Sequence, residues 1–112
     1  MNVQIYYGKR NFDVQKAERY FKERRIPVQM MDLKKHRLGE REVRAFLSAI
    51  GAEALLDRND NRVKEHPACY DPSEETLVPA VMECPWLLAS PIVRNGQKIT
   101  VGYQPEKWKE WE

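Results

Sequence analysis

The segment Val3 to Arg25 constrains this chain most, because a short apolar stretch passes through a glycine-containing basic loop directly into a helix-forming stretch. Val3, Ile5 and Tyr7 alternate with Gln4 and Tyr6, the pattern of a strand built from β-branched and aromatic residues. Gly8 ends the strand, since glycine tolerates backbone angles that other residues avoid. Asn11 or Asp13 is placed to cap the helix that follows, through a side-chain oxygen that accepts from its first free amides. Val14, Ala17, Tyr20 and Phe21 recur at helical spacing, with Lys16, Glu18, Lys22, Glu23 and Arg25 mostly off that stripe. The result is an amphipathic helix docked on a sheet, with the strand-to-helix junction where α/β proteins place ligands and nucleophiles.

The loop's chemistry is defined by what it lacks. A thiol redox enzyme needs a cysteine here, because the free amides and the helix dipole stabilise a thiolate. Residues 8–14 contain none. Lys9 and Arg10 make the loop positive, so either an anion sits at the helix N-terminus or the two side chains are simply solvated.

After the helix the α/β rhythm continues. Ile26-Pro27 breaks the helix, and Val28 to Leu33 is a second strand-length apolar run, which completes a βαβ unit with parallel strands. Lys34 to Leu38 is a basic connector. Val43, Phe46, Leu47 and Ile50 then mark a helix between Gly39 and Gly51, followed by a short helical piece over Ala52 to Leu56. Asp57 to Lys64 is charged and poor in apolar residues, and is expected to be the most mobile part. His66-Pro67 to Asp71-Pro72 reads as irregular chain. Ser73 caps a helix with Glu74 and Glu75 in its first turn, Pro79 should kink or interrupt it, and Cys84-Pro85 ends it. Trp86, Leu87 and Leu88 anchor the chain in the core.

Pro91 to Arg94 forms a strand, Asn95-Gly96 a two-residue hairpin turn, and Lys98 to Gly102 the returning strand. Gln104-Pro105-Glu106 opens a last helix carrying Trp108 and Trp111, which either pack on the sheet or form a partner surface.

At 112 residues the chain has room for one ordinary core. Charged residues make up 32% and net charge is only +2, with no concentrated basic face, so direct nucleic-acid binding is not expected. No apolar run reaches membrane-spanning length and the first residues enter a strand instead of a signal peptide, which points to a cytoplasmic protein with no membrane partner. Cys69 and Cys84 lack the spacing of a disulfide framework or a metal site, and His36 and His66 lie near no other ligand, so no metal and no cofactor is expected. Each cysteine is either structural or a free reactive thiol.

The order β-α-β, several helices, β-hairpin, helix is the thioredoxin-like arrangement, an α/β fold whose βαβ and ββα halves cover about 1–34 and 86–112. A helical insertion of about 35–85 separates them. Pro91 then faces the first helix N-terminus, and Ser90-Pro91 reads as a cis peptide bond.

Gln15-Lys16-Ala17 and Ile26-Pro27, with Ser90-Pro91-Ile92-Val93 and Val101-Gly102-Tyr103, resemble the signatures of the arsenate reductase (ArsC) and Spx family. Phe12-Asp13, Lys22 to Arg25, Pro91 to Gly96 and Thr100 to Glu106 with Trp108 are similar to an ArsC-like subgroup of anaerobic bacteria. The resemblance covers nearly the whole chain. It implies that the family's nucleophilic cysteine falls on Asn11, the second cysteine of the Spx-type pair on Val14, and the oxyanion-binding arginine before the proline on Ser90.

Three readings follow from that resemblance. One is a redox-inactive binding or regulatory module with a protein partner, RNA polymerase by analogy with Spx. Another is a glutathione- or thioredoxin-linked arsenate or disulfide reductase of altered mechanism, using Cys84 or Cys69. The third is a non-catalytic binder of a small oxyanion or glutathione, with Lys9, Arg10, Asn11, Phe12, Ser90, Pro91 and Arg94 as the candidate ligand-binding residues.

Overall fold

A computed structural model describes residues 1–111. Its sheet has four strands, β1 (Val3–Tyr7), β2 (Val28–Asp32), β3 (Ile92–Asn95) and β4 (Lys98–Val101), in the order β2-β1-β3-β4. β1 and β2 are parallel, joined by a helical crossover, with Val3 opposite Val28 and Tyr7 opposite Asp32. β3 is antiparallel to β1 and β4. The crossover helix α1 (Phe12–Glu23) buries Val14, Ala17, Tyr20 and Phe21, the four residues of its apolar stripe.

Side chains alternate across the strands, so the two faces carry different cores. On one face Val3, Ile5 and Val93 pack with Ala17, Tyr20 and Phe21 of α1 and with Trp108 of α6 (Pro105–Lys109). Trp108 is fully buried and its indole Nε1 donates to Thr100 Oγ1 at 2.9 Å. Trp111 lies partly buried against the same cluster.

On the other face Tyr6 and Ile92 meet α2 (Glu40–Ile50) and α5 (Glu74–Glu83), through Val43, Phe46, Leu77 and Val81. α3 (Ala52–Leu55) and α4 (Asn61–Glu65) complete that layer, each adding one buried side chain, Leu55 and Val63. The architecture is thioredoxin-like, with the extra helices on one side of the sheet.

Several local expectations are corrected. Asp57 to Lys64, read from its charge without a helix, contains the start of α4: Asp60 caps it by accepting from the Arg62 amide at 2.9 Å, and Val63 is buried. Pro67–Tyr70 is a 3₁₀ turn capped by the His66 ring nitrogen. Ser73 occupies the cap position of α5 without a capping bond from its side chain. Pro79 lies inside α5, which continues through it to Glu83. β3 begins at Ile92, one residue after Pro91.

The hairpin turn is Gly96-Gln97, with Asn95 paired to Lys98 in the ladder and φ +63° at Gly96. The physical reason is register. A turn over Asn95-Gly96 would set Lys98 opposite Val93, facing the α1 and α6 core, whereas the observed pairing sets Thr100 there.

Candidate functional site

Strand β1 ends at Tyr7, and loop 8–11 carries the chain to the first turn of α1. Two non-local tethers hold that loop against the end of the segment that enters β3. The Gly8 amide donates to Ser90 Oγ at 3.0 Å, and Asn11 Nδ2 donates to the Ser90 carbonyl at 3.0 Å. Asn11 is also the helix cap, with extended backbone angles and Oδ1 accepting from the Val14 amide at 2.9 Å. Asn11 and not Asp13 is therefore the cap. The Ser90-Pro91 peptide is cis, as its sequence context suggests.

Lys9 turns from the loop toward the insertion. Its ammonium pairs with Asp57 at 3.0 Å and with Asp60 in a close contact. Asp57 is carried there by main-chain bonds that join 55–57 to 87–89: the Asp57 amide donates to Leu87 O at 2.9 Å and the Ala89 amide to Leu55 O at 2.8 Å. Burial alone would lower the Lys9 pKa, but the hydrogen bonds to Asp60 and Asp57 outweigh it and hold it above the ordinary lysine value. Asp60 is held far below the usual carboxylate range, chiefly by Lys9 and then by Arg62.

Arg10 pairs with Glu18 at 2.8 Å and lies 5.5 Å from the centre of the Tyr7 ring. Phe12, the first helical residue, is 79% exposed. Arg94 does not join the loop. It sits opposite Gln4, three residues along β3 from Pro91 and so about 10 Å away along the strand, and its Nε donates to Gly96 O at 2.8 Å. Thus Lys9, Arg10, Asn11, Phe12, Ser90 and Pro91 gather at one end of the sheet, and Arg94 belongs to the hairpin.

The cysteines lie elsewhere. Cys84 is the C-cap of α5 and leads into the 3₁₀ turn Pro85–Leu87. Cys69, in the 3₁₀ turn, accepts from Arg58 Nη1 at 3.2 Å. Among the described residues no group of three or more His, Cys, Asp or Glu side chains is placed to hold a metal, and no helix is long and apolar enough to cross a membrane.

Sequence reasoning missed Asp57 and Asp60, which neutralise Lys9 from 48 and 51 residues away. It also missed the polar cluster beneath α2. There Glu42 Oε1 accepts from the Gly39 amide at 2.9 Å and Oε2 lies 3.1 Å from His36 Nε2. Burial pushes the Glu42 carboxyl up, but bonds from Gly39, His36 and Tyr6 hold it below the usual range. Burial, and then the Glu42 charge, pushes the Tyr6 hydroxyl up to about 12.

The site thus offers a helix N-terminus already capped, two cations already paired, and no thiol. Beside it runs a groove of about 370 Å³ lined by Gly8, Lys9, Leu33, Lys34, Arg62, Pro85 and Trp86.

Known structures share this fold over nearly the whole chain. The YffB protein superposes with a TM-score of 0.83 at 17% identity, covering 96% of each chain. The arsenate reductase from Vibrio cholerae gives 0.79 at 20% identity over 98% of this chain and 97% of its own. An arsenate reductase related protein from Brucella melitensis gives 0.71 at 22% identity over 99% and 94%. At such identities these likenesses establish the fold. No curated protein matches the sequence. The family model for ArsC, however, matches residues 6–111, a span that holds the loop, the helix N-terminus and the cis-proline segment together, and the chain belongs to the ArsC family.

Proposed function

We propose that this ArsC-family chain is a redox-inactive binding or regulatory module that acts through a protein partner. One observation carries the reading: Asn11, which the family resemblance aligns with the nucleophile, commits both atoms of its side-chain amide to Val14 and Ser90. An amide cannot attack an oxyanion or a disulfide, and neither Cys69, within the 3₁₀ turn Pro67–Tyr70, nor Cys84, between α5 and the 3₁₀ turn Pro85–Leu87, lies in the loop that precedes α1. Anion binding by the loop is the less favoured reading, because Asp57, Asp60 and Glu18 already neutralise Lys9 and Arg10. The resemblance to Spx makes RNA polymerase the first partner to try.

Thiol reactivity tests the redox half of this reading. Cys69 and Cys84 are expected to react with iodoacetamide near neutral pH no faster than free glutathione. A cysteine reacting about ten-fold faster or more would overturn it.

A further inference from the structure

The basic connector between β2 and α2 does not enter the site described above, and its placement gives it a role. Residues 33–36 form a turn rather than an extended link, fixed by the Lys34 amide on Asp32 Oδ1 at 2.9 Å and the His36 amide on Asp32 O at 2.7 Å. That turn borders the groove beside Lys9 and a second hollow of about 260 Å³, and the two share Leu33, Lys34 and Pro85. The two hollows adjoin along those shared residues, and Leu33, Pro85, Trp86 and Met82 are the apolar residues that line them. Trp86 is partly exposed, with the Arg62 guanidinium 4.9 Å from its ring centre.

The charge around the hollows is one-sided. Lys9 and Arg62 are balanced by Asp57 and Asp60, and the Glu42 carboxylate lies against His36. Lys34, Lys35 and Arg37 are exposed, and among the described residues none of them has an ion-pair partner. Glu83 is the acidic residue lining either hollow. Lys34, Lys35 and Arg37 thus put three exposed cations within four residues of a chain whose formal net charge is only +2.

We infer that these adjoining hollows dock an acidic segment of a protein partner, with carboxylates on Lys34, Lys35 and Arg37 and an apolar side chain between Trp86 and Met82. The inference rests on the binding-module reading and names the surface through which it works. Unpaired surface cations gain from a complementary partner mainly in encounter rate and orientation, while an aromatic anchor in a hollow supplies affinity.

The test uses the intact protein, ¹⁵N-labelled, with a fluorescein-labelled peptide of glutamates and aspartates flanking a central Leu-Trp pair. Controls are the same peptide with lysines for the acidic residues and a single-stranded oligonucleotide. Acidic-peptide binding is expected to weaken as salt rises from about 50 to about 500 mM, with amide shifts at 34–37 and at the Trp86 indole. Lys34→Glu combined with Arg37→Glu, both at exposed positions, should weaken it about ten-fold or more. Arg41→Glu, on the exposed face of α2, should leave it within about two-fold.

Absence of binding overturns the inference, as do shifts that map elsewhere, equal losses in both variants, tighter binding of the oligonucleotide, or self-association that covers the hollows. Reductase turnover by the natural protein would instead sink the redox-inactive reading, so the two failures are distinguishable.

Discussion

Asn11 and Ser90, 79 residues apart, are joined by a hydrogen bond from the Asn11 side-chain amide to the Ser90 carbonyl at 3.0 Å. Ser90 returns the tie by accepting the Gly8 amide on its hydroxyl oxygen at 3.0 Å. The strand-to-helix loop and the cis-proline segment are therefore held together by side chains.

Loss of this clip should be measurable as stability. Asn11→Ala removes a helix cap and the Ser90 bond, and is expected to cost about 1–2 kcal/mol in urea unfolding. Asn11→Asp keeps the cap oxygen but sets it against the Ser90 carbonyl, so it should fall between Asn11→Ala and the natural protein.

The Lys9 contacts set a pH dependence with a definite sign. Asp60 has a folded-state pKa below its unfolded value, so its contribution is present above about pH 4 and is lost as pH falls toward the folded value. Lys9 has a raised folded-state pKa. Its contribution is complete below about pH 10 and is lost as pH rises through the folded value. The melting temperature of the natural protein is expected to drop more steeply between about pH 5 and pH 2 than that of Asp60→Asn. Parallel acid limbs would contradict the pairing.

The buried Trp108 and Thr100 pair predicts a coupling. Thr100→Val leaves the indole N–H without its acceptor and should cost about 1–3 kcal/mol. Trp108→Phe leaves the Thr100 hydroxyl unpaired and also loses volume, so it should cost at least as much. The double variant should cost less than the sum of the two, and full additivity in the denaturation cycle would argue against the bond.

Gly96 carries the left-handed angle of the hairpin turn. A β-carbon there meets no neighbour within 4 Å, so Gly96→Ala tests backbone strain alone, with an expected loss of about 1–2 kcal/mol in thermal or urea unfolding.

The parts of this fold that were legible in the sequence are those written in local periodicity. Val14, Ala17, Tyr20 and Phe21 form a stripe, Val43, Phe46 and Leu47 another, and each is buried as its spacing requires. The hairpin was legible to within one residue, because the Asn-Gly signal marks a turn while the pairing of Thr100 rather than Lys98 with Val93 sets its register. Asp57 and Asp60 were not legible. Their function is a contact with Lys9 across the fold, and a charged stretch reads the same whether it faces water or a cation. Likewise Asn11 was legible only as one of two candidate caps beside Asp13, and its second bond, to Ser90, exists only once the sheet brings β1 and β3 together.

The most direct measurement is steady-state reduction of arsenate and of a small disulfide, with glutathione and with thioredoxin, by the natural protein beside its Asn11→Cys variant. The redox-inactive reading predicts no turnover by the natural protein, and turnover by the variant once a thiol stands at the helix N-terminus beside the cis-proline segment. Turnover by the natural protein that Cys84→Ser or Cys69→Ser abolishes would contradict the redox-inactive reading outright.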